Sequence, residues 1–146
     1  MRVRELRVEY RVRPDAPAFD SRTSLKTPPE AAAFLAPILE HEPCEVFLVI
    51  FLNTKHQLLS FHEVSRGTLD STLVHPREVF KAALLANAAA IVLAHNHPSG
   101  DPWPSPDDAV LTQRLKAAGE LLGVDVVDHV IVADGRHYSF KEGGRL

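Results

Sequence analysis

Apolar and polar positions along the chain fall into strand-like and helix-like stretches separated by proline- and glycine-rich breaks. Residues 6–13 alternate, with Leu6, Val8, Tyr10 and Val12 set between Arg7, Glu9, Arg11 and Arg13, which predicts a half-buried strand. Residues 14–27, with Pro14, Pro17, Ser21, Thr23 and Ser24, predict an irregular connector. Thr27 is placed to cap a helix that starts at Pro28-Pro29 and runs to about Glu40, with Ala32, Phe34, Leu35 and Ile38 on its apolar side. Past Pro43, residues 45–52 are almost continuously apolar and rich in β-branched and aromatic side chains, as expected of a central strand covered on both faces. Asn53-Thr54-Lys55 turns the chain into a second strand over 57–64, giving a hairpin, and a short extended piece over 68–74 follows.

In the second half, His75-Pro76 opens a helix to about Asn87, and residues 89–95 form another buried strand. Residues 96–105 carry Pro98, Gly100, Pro102 and Pro104, a stiff loop that fits neither a helix nor an interior strand. Ser105-Pro106 begins a helix to about Leu122, with Val110, Leu111, Leu115, Ala118 and Leu122 at helical spacing, and Gly123 ends it. Residues 124–133 and 136–140 form a last strand pair turned by Asp134-Gly135. The sum is a three-layer α/β protein with a mixed central sheet.

Composition narrows the class. A length of 146 residues suits one core, divided here into an amino-terminal strand and connector (1–24) and a main domain (25–146). The 45% apolar and 24% charged content is that of a soluble globular protein, and no apolar run approaches the roughly 20 residues of a membrane helix. Met1-Arg2-Val3-Arg4-Glu5 lacks the apolar core of a secretory signal, and the single Cys44 cannot form an internal disulfide, so a cytoplasmic location is expected. A net charge of −3 argues against a large phosphate-binding surface. The cluster Arg2, Arg4, Arg7, Arg11 and Arg13 is a local exception that reads first as a solvated strand face.

The candidate chemistry lies at the end of the strand 89–95. His95 and His97 are two residues apart, so in extended backbone their imidazoles point to the same side and can converge on one ion. An H-x-H pair alone fits two structural histidines equally well. The proline-rich loop then returns the chain to Ser105 and Asp108, where Asp108 can supply an oxygen ligand and leave a fourth position for water. Two imidazoles and a carboxylate without thiolates suit Zn²⁺. Ser105-Pro106-Asp107-Asp108 is also a good helix start with no metal at all, and the two readings are compatible. A zinc-activated water needs a base; Glu45, at the mouth of the strand 46–52, reaches the metal if that strand lies beside 89–95. Glu42 and Glu63 compete on composition alone.

The string from His95 to Asp108 follows the pattern H-x-H, seven residues, Ser, two residues, Asp, and so resembles the signature of the JAMM (JAB/MPN) metalloprotease superfamily. The Pro-Ser-Gly wording after the histidines, with His75-Pro76-Arg77-Glu78 before and Asp128-His129 after, is similar to its RadC-like branch, over about residues 25–146. The resemblance implies a JAB/MPN-like (cytidine-deaminase-like) fold, with His95, His97 and Asp108 on zinc and water in the fourth position. It also implies Glu45 as general base and Ser105 as hydrogen-bond donor to the developing oxyanion. Full-length RadC proteins resemble this chain less at the front: a helix-hairpin-helix segment is expected upstream of the domain, and residues 1–24 are too short and strand-like for it.

Other residues leave alternatives open. His41, His56, His62, His75 and His137 read as surface or structural. His129 fits both a partner that orients a ligand and a satisfied core histidine. Trp103, between Pro102 and Pro104, fits a groove wall or a loop-packing aromatic, and Cys44 lacks the Cys–His arrangement of a thiol nucleophile. The resulting functional expectation is a zinc peptidase or isopeptidase acting on a peptide or protein, with no membrane partner. The alternative is a nucleic-acid accessory protein of the RadC type, weakened by the acidic balance and by the lack of interleaved aromatics and cations. A zinc deaminase would need a PCxxC that the chain lacks, and an inactive scaffold would not be expected to keep every ligand.

Overall fold

The computed structural model describes residues 1–20, 22–67 and 74–146. Its elements follow the chain as α1 (Pro28–Leu39), β1 (Glu45–Leu52), β2 (Leu58–Gly67), α2 (Pro76–Leu85), β3 (Ala90–Asn96), α3 (Pro106–Leu122), β4 (Asp125–Ala133) and β5 (Arg136–Ser139). The strands form one five-stranded sheet in the order β2-β1-β3-β4-β5. β3 and β4 run parallel and every other neighbouring pair is antiparallel, so the sheet is mixed as expected.

The continuous apolar run of β1 is explained by a helix layer on each face. Val46, Leu48, Ile50 and Leu52 pack with Leu35, Ile38 and Leu39 of α1. Phe47, Val49 and Phe51 point the other way, against Phe80 of α2 and Leu111 and Leu115 of α3. β3 splits likewise, with Val92 and Ala94 on the α1 side and Ile91 and Leu93 on the other. Alternation of side chains then puts His95 on the α2/α3 face and Asn96 on the α1 face.

Local chemistry fixes the boundaries. Thr27 caps α1 through a capping box with Glu30, and Ser105 caps α3 through one with Asp108. Gly123, at φ 73°, ends α3 in the left-handed conformation that glycine adopts without strain. α2 stops at Leu85, short of the expected Asn87, because Asn87 itself takes a left-handed φ of 56°. β2 runs to Gly67, three residues past the expected end; Ser65, Arg66 and Gly67 stay in register with Phe47, Val46 and Glu45.

One expectation is corrected. Residues 6–13 form no strand: the segment 1–12 is exposed along its length, with Leu6 77% and Val12 93% accessible. Alternation marks a face that could be covered, but a strand also needs a hydrogen-bonded neighbour and a surface to pack on. Arg13 is the first part-buried residue, and its guanidinium lies 5.7 Å from the centre of the Phe61 ring. Of the expected extended piece at 68–74, residues 68–73 lie outside the described residues. No helix among the described residues is long and apolar enough to cross a membrane.

Candidate metal centre

The register of β1 against β3 pairs Phe47 with His95, which puts Glu45, two residues before Phe47, on the same face and at the same sheet end as His97. Phe47 stacks on the His95 ring at 6.1 Å and meets His129 edge-on at 5.7 Å, so apolar contacts set the His95 ring plane. Past β3, the His97 amide bonds to the Val132 carbonyl at 3.0 Å, which carries β3–β4 pairing one residue further and holds the start of the loop. The loop ends at Ser105, where the reciprocal capping bonds turn the Asp108 carboxylate back toward the histidines.

His95, His97 and Asp108 come together. The two Nε2 atoms stand 3.0 Å apart. His95 Nε2 lies 3.2 Å from Asp108 Oδ1, and His97 Nε2 lies 3.2 Å from Asp108 Oδ2. One ligand atom from each residue falls within 4.8 Å of the others, an arrangement that could hold a metal ion. Ligands about 2.0–2.2 Å from a tetrahedral centre stand roughly 3.3–3.5 Å from one another, so the donors need only a small outward shift. The His97 Nδ1–H donates to the Asp101 carbonyl at 2.8 Å, because a carbonyl can only accept; the Nε2 of the neutral ring is then a lone pair facing the site. Two imidazole nitrogens and a carboxylate converging on one point, with no thiolate among them, are a donor set that fits a divalent ion.

The electrostatics agree. Burial works against charge on both His97 and Asp108. It is outweighed at Asp108 by the two imidazoles in their protonated form and by the Ser105 amide, which hold the carboxyl well below the usual carboxylate range. At His97 the Asp108 carboxylate, the Asp101 carbonyl and the charge of Glu45 outweigh burial and raise the imidazole above its ordinary value. His129, completely buried, is pushed well below the usual imidazole range by desolvation and by the neighbouring His95.

The sequence competitors go elsewhere. Glu42 and Glu63 both pair with Arg66, at 2.6 Å each. Cys44 packs on the α1-side core, away from the histidine face. Trp103 packs within the loop region, its ring meeting Tyr138 edge-on at 5.3 Å while the residue stays 65% exposed. Ser105 lies at the exposed rim, its Oγ accepting the Asp108 amide at 3.1 Å. Asp128 accepts from the His129 amide, the Ser139 hydroxyl and the Lys141 amide, which ties the β4–β5 pair to the turn after it.

Two residues escape the sequence reading. Asn96, between the histidines, sends its buried amide to the opposite face, where Oδ1 accepts the Val46 amide at 2.8 Å and Nδ2 donates to the Cys44 carbonyl at 2.9 Å. It therefore clamps the backbone on both sides of Glu45. Thr112 lies one helical turn after Asp108 and bonds back to its carbonyl at 2.7 Å. The i, i+4 spacing from Asp108 was the signal available for it; nothing in the sequence marks Asn96 beyond its place in H-x-H.

Comparison with known proteins follows the same residues. A family model described as the RadC-like JAB domain matches residues 25–145. A UPF0758 protein of Symbiobacterium thermophilum is 50% identical over 125 residues, which is 86% of this chain and 53% of that protein. A UPF0758 protein of Methanosarcina acetivorans is 42% identical over 125 residues, 86% of this chain and 55% of the relative. One from Xylella fastidiosa is 45% identical over 139 residues, 95% of this chain and 62% of the relative. The chain spans about half the length of the curated relatives it matches.

Proposed function

The chain belongs to the RadC-like JAB domain family, and from that premise we propose that it is a zinc-dependent hydrolase, a peptidase or isopeptidase that cleaves an amide bond with water. The observation that carries the reading is the convergence of His95 Nε2, His97 Nε2 and the Asp108 carboxylate at one end of the sheet. Zinc held by those three residues would supply Lewis-acid chemistry, polarising a substrate carbonyl and making a water easier to deprotonate.

The chain's own residues divide the remaining work. Glu45, held at the sheet end by the Asn96 clamp, takes the proton of the attacking water and passes it to the leaving amine. Ser105 uses its oxygen to accept the Asp108 amide, which leaves its hydroxyl proton to be given to the oxyanion. Asp108 has a double task, because the carboxylate that serves the metal also takes the Ser105 amide at 2.8 Å. Holding the oxyanion donor and a metal ligand in one capping box fixes their separation with no further element.

The test is metal analysis of the purified chain joined to a cleavage screen with a peptide library. We expect bound zinc and cleavage that Glu45→Ala abolishes while zinc stays. Retained turnover in that variant would remove Glu45 from the mechanism. A second reading, a nucleic-acid accessory role, draws on the exposed Arg2, Arg4, Arg7 and Arg11, and binding to duplex DNA that weakens with salt would favour it.

A further inference from the structure

A chain of hydrogen bonds leads from one proposed metal ligand to another through the core, and its direction is fixed by chemistry. It starts at the Asp108 carbonyl, which can only accept. The Thr112 hydroxyl, 2.7 Å away, must therefore spend its single proton there. Thr112 Oγ1 also lies 2.6 Å from His129 Nδ1, so in that contact the oxygen accepts and Nδ1 carries the hydrogen. The His129 ring is completely buried between Phe47 and Phe140, and its nitrogens meet a hydroxyl and another imidazole rather than a carboxylate. A ring so placed stays neutral, because an unpaired buried charge is costly. With Nδ1 protonated, its Nε2 is a lone pair, and it lies 2.8 Å from His95 Nδ1. His95 must then donate from Nδ1, so in the neutral ring the Nε2 that faces His97 and Asp108 carries no hydrogen and is the metal donor.

We propose that Thr112 and His129 are positioning residues that lock His95 in the tautomer protonated on Nδ1, keeping Nε2 free as a metal donor. Without the Thr112 hydroxyl, His129 Nδ1–H would face an apolar group, and the ring would gain by moving its proton to Nε2. That proton would be donated to His95 Nδ1, driving the His95 hydrogen onto Nε2 and into the ligand position. The route from Thr112 to the ligand is thus a relay of two tautomers across two imidazoles. It also links three elements, since Thr112 lies on α3, His129 on β4 and His95 on β3. The consequence for metal affinity rests on the metal reading above; the tautomer itself does not.

The test uses the metal-free full chain at pH 8, with long-range ¹H–¹⁵N correlation spectra of ¹⁵N-labelled histidine to read the tautomer of each ring. The wild type is expected to show His95 and His129 both protonated on Nδ1. Thr112→Val, which keeps the shape and removes the hydroxyl, is expected to move His95 toward the Nε2–H form and to weaken Zn²⁺ binding by about 10- to 100-fold in chelator competition. Thr112→Ser is expected to restore both. A wild-type His95 protonated on Nε2 overturns the inference without any variant. So does a Thr112→Val protein that loses melting temperature while its His95 tautomer and zinc affinity stay as in the wild type, the mark of a merely structural hydroxyl. A wild type that takes up no zinc, with a His95 tautomer that still shifts in Thr112→Val, would overturn the metal reading and uphold tautomer control.

Discussion

Asp108 Oδ2 accepts the backbone amide of Ser105 at 2.8 Å while lying 3.2 Å from His97 Nε2, so one carboxylate both caps α3 and faces the histidines. The two roles separate by substitution. Asp108→Ala removes the reciprocal half of the capping box and is expected to cost about 0.5–2 kcal/mol in denaturant unfolding of the metal-free chain. Asp108→Asn keeps an oxygen for the Ser105 amide and is expected to recover most of that loss, while still binding metal more weakly than the wild type. Equal unfolding midpoints for the two variants would show that the cap contributes nothing.

Asn96 serves Glu45 through backbone. Asn96→Ala would leave the Val46 amide and the Cys44 carbonyl without their side-chain partner in a buried position, at a cost of about 1–3 kcal/mol. If Glu45 is the base, kcat should fall more than KM rises, and zinc content should stay. Loss of zinc in step with activity would place Asn96 among the residues that support the histidines instead.

Metal retention should depend on pH through His97. Its folded-state pKa is raised, so in the metal-free protein the proton binds more tightly than to a free imidazole, and proton and metal compete for the same ring. The sign follows: the apparent metal affinity is full at pH 8 and weakens as pH falls below the raised His97 pKa. Metal affinity measured after equilibration from pH 8 to pH 5 checks this. An apparent metal affinity unchanged from pH 8 to pH 5 would contradict a histidine-ligated site.

Gly119 tests how α3 is seated. A Cβ there would lie 2.4 Å from the Val124 carbonyl, with Phe80 and Val126 atoms at 3.3 Å behind it. Gly119→Ala is expected to destabilise by about 1–3 kcal/mol, despite alanine's higher helix propensity, because backbone cannot yield as a flexible side chain does. A stabilised variant would mean that α3 slides easily on the sheet.

Much of this was legible in the sequence because the signals were local. The two-sided apolar runs of β1 and β3, the Thr27 and Ser105 caps and the Asp134-Gly135 turn, with φ values of 48° and 71°, all act within a few residues. The spacing from His95 to Asp108 brought the proposed ligands together for the same reason. Residues 6–13 misled because alternation says which side chains could share a face, not whether a neighbouring strand exists. Asn96, Thr112 and the orientation of His129 depend on contacts between β3, β1, α3 and β4, which only the assembled sheet defines.

The proposed zinc site stands or falls on the zinc content of the purified chain and its Asp108→Ala variant, measured by elemental analysis after dialysis against metal-free buffer at pH 8. About one zinc per wild-type chain, lost in the variant, is the predicted result. A wild type that binds no zinc when offered it, or a variant that keeps all of it, would rule out His95, His97 and Asp108 as zinc ligands.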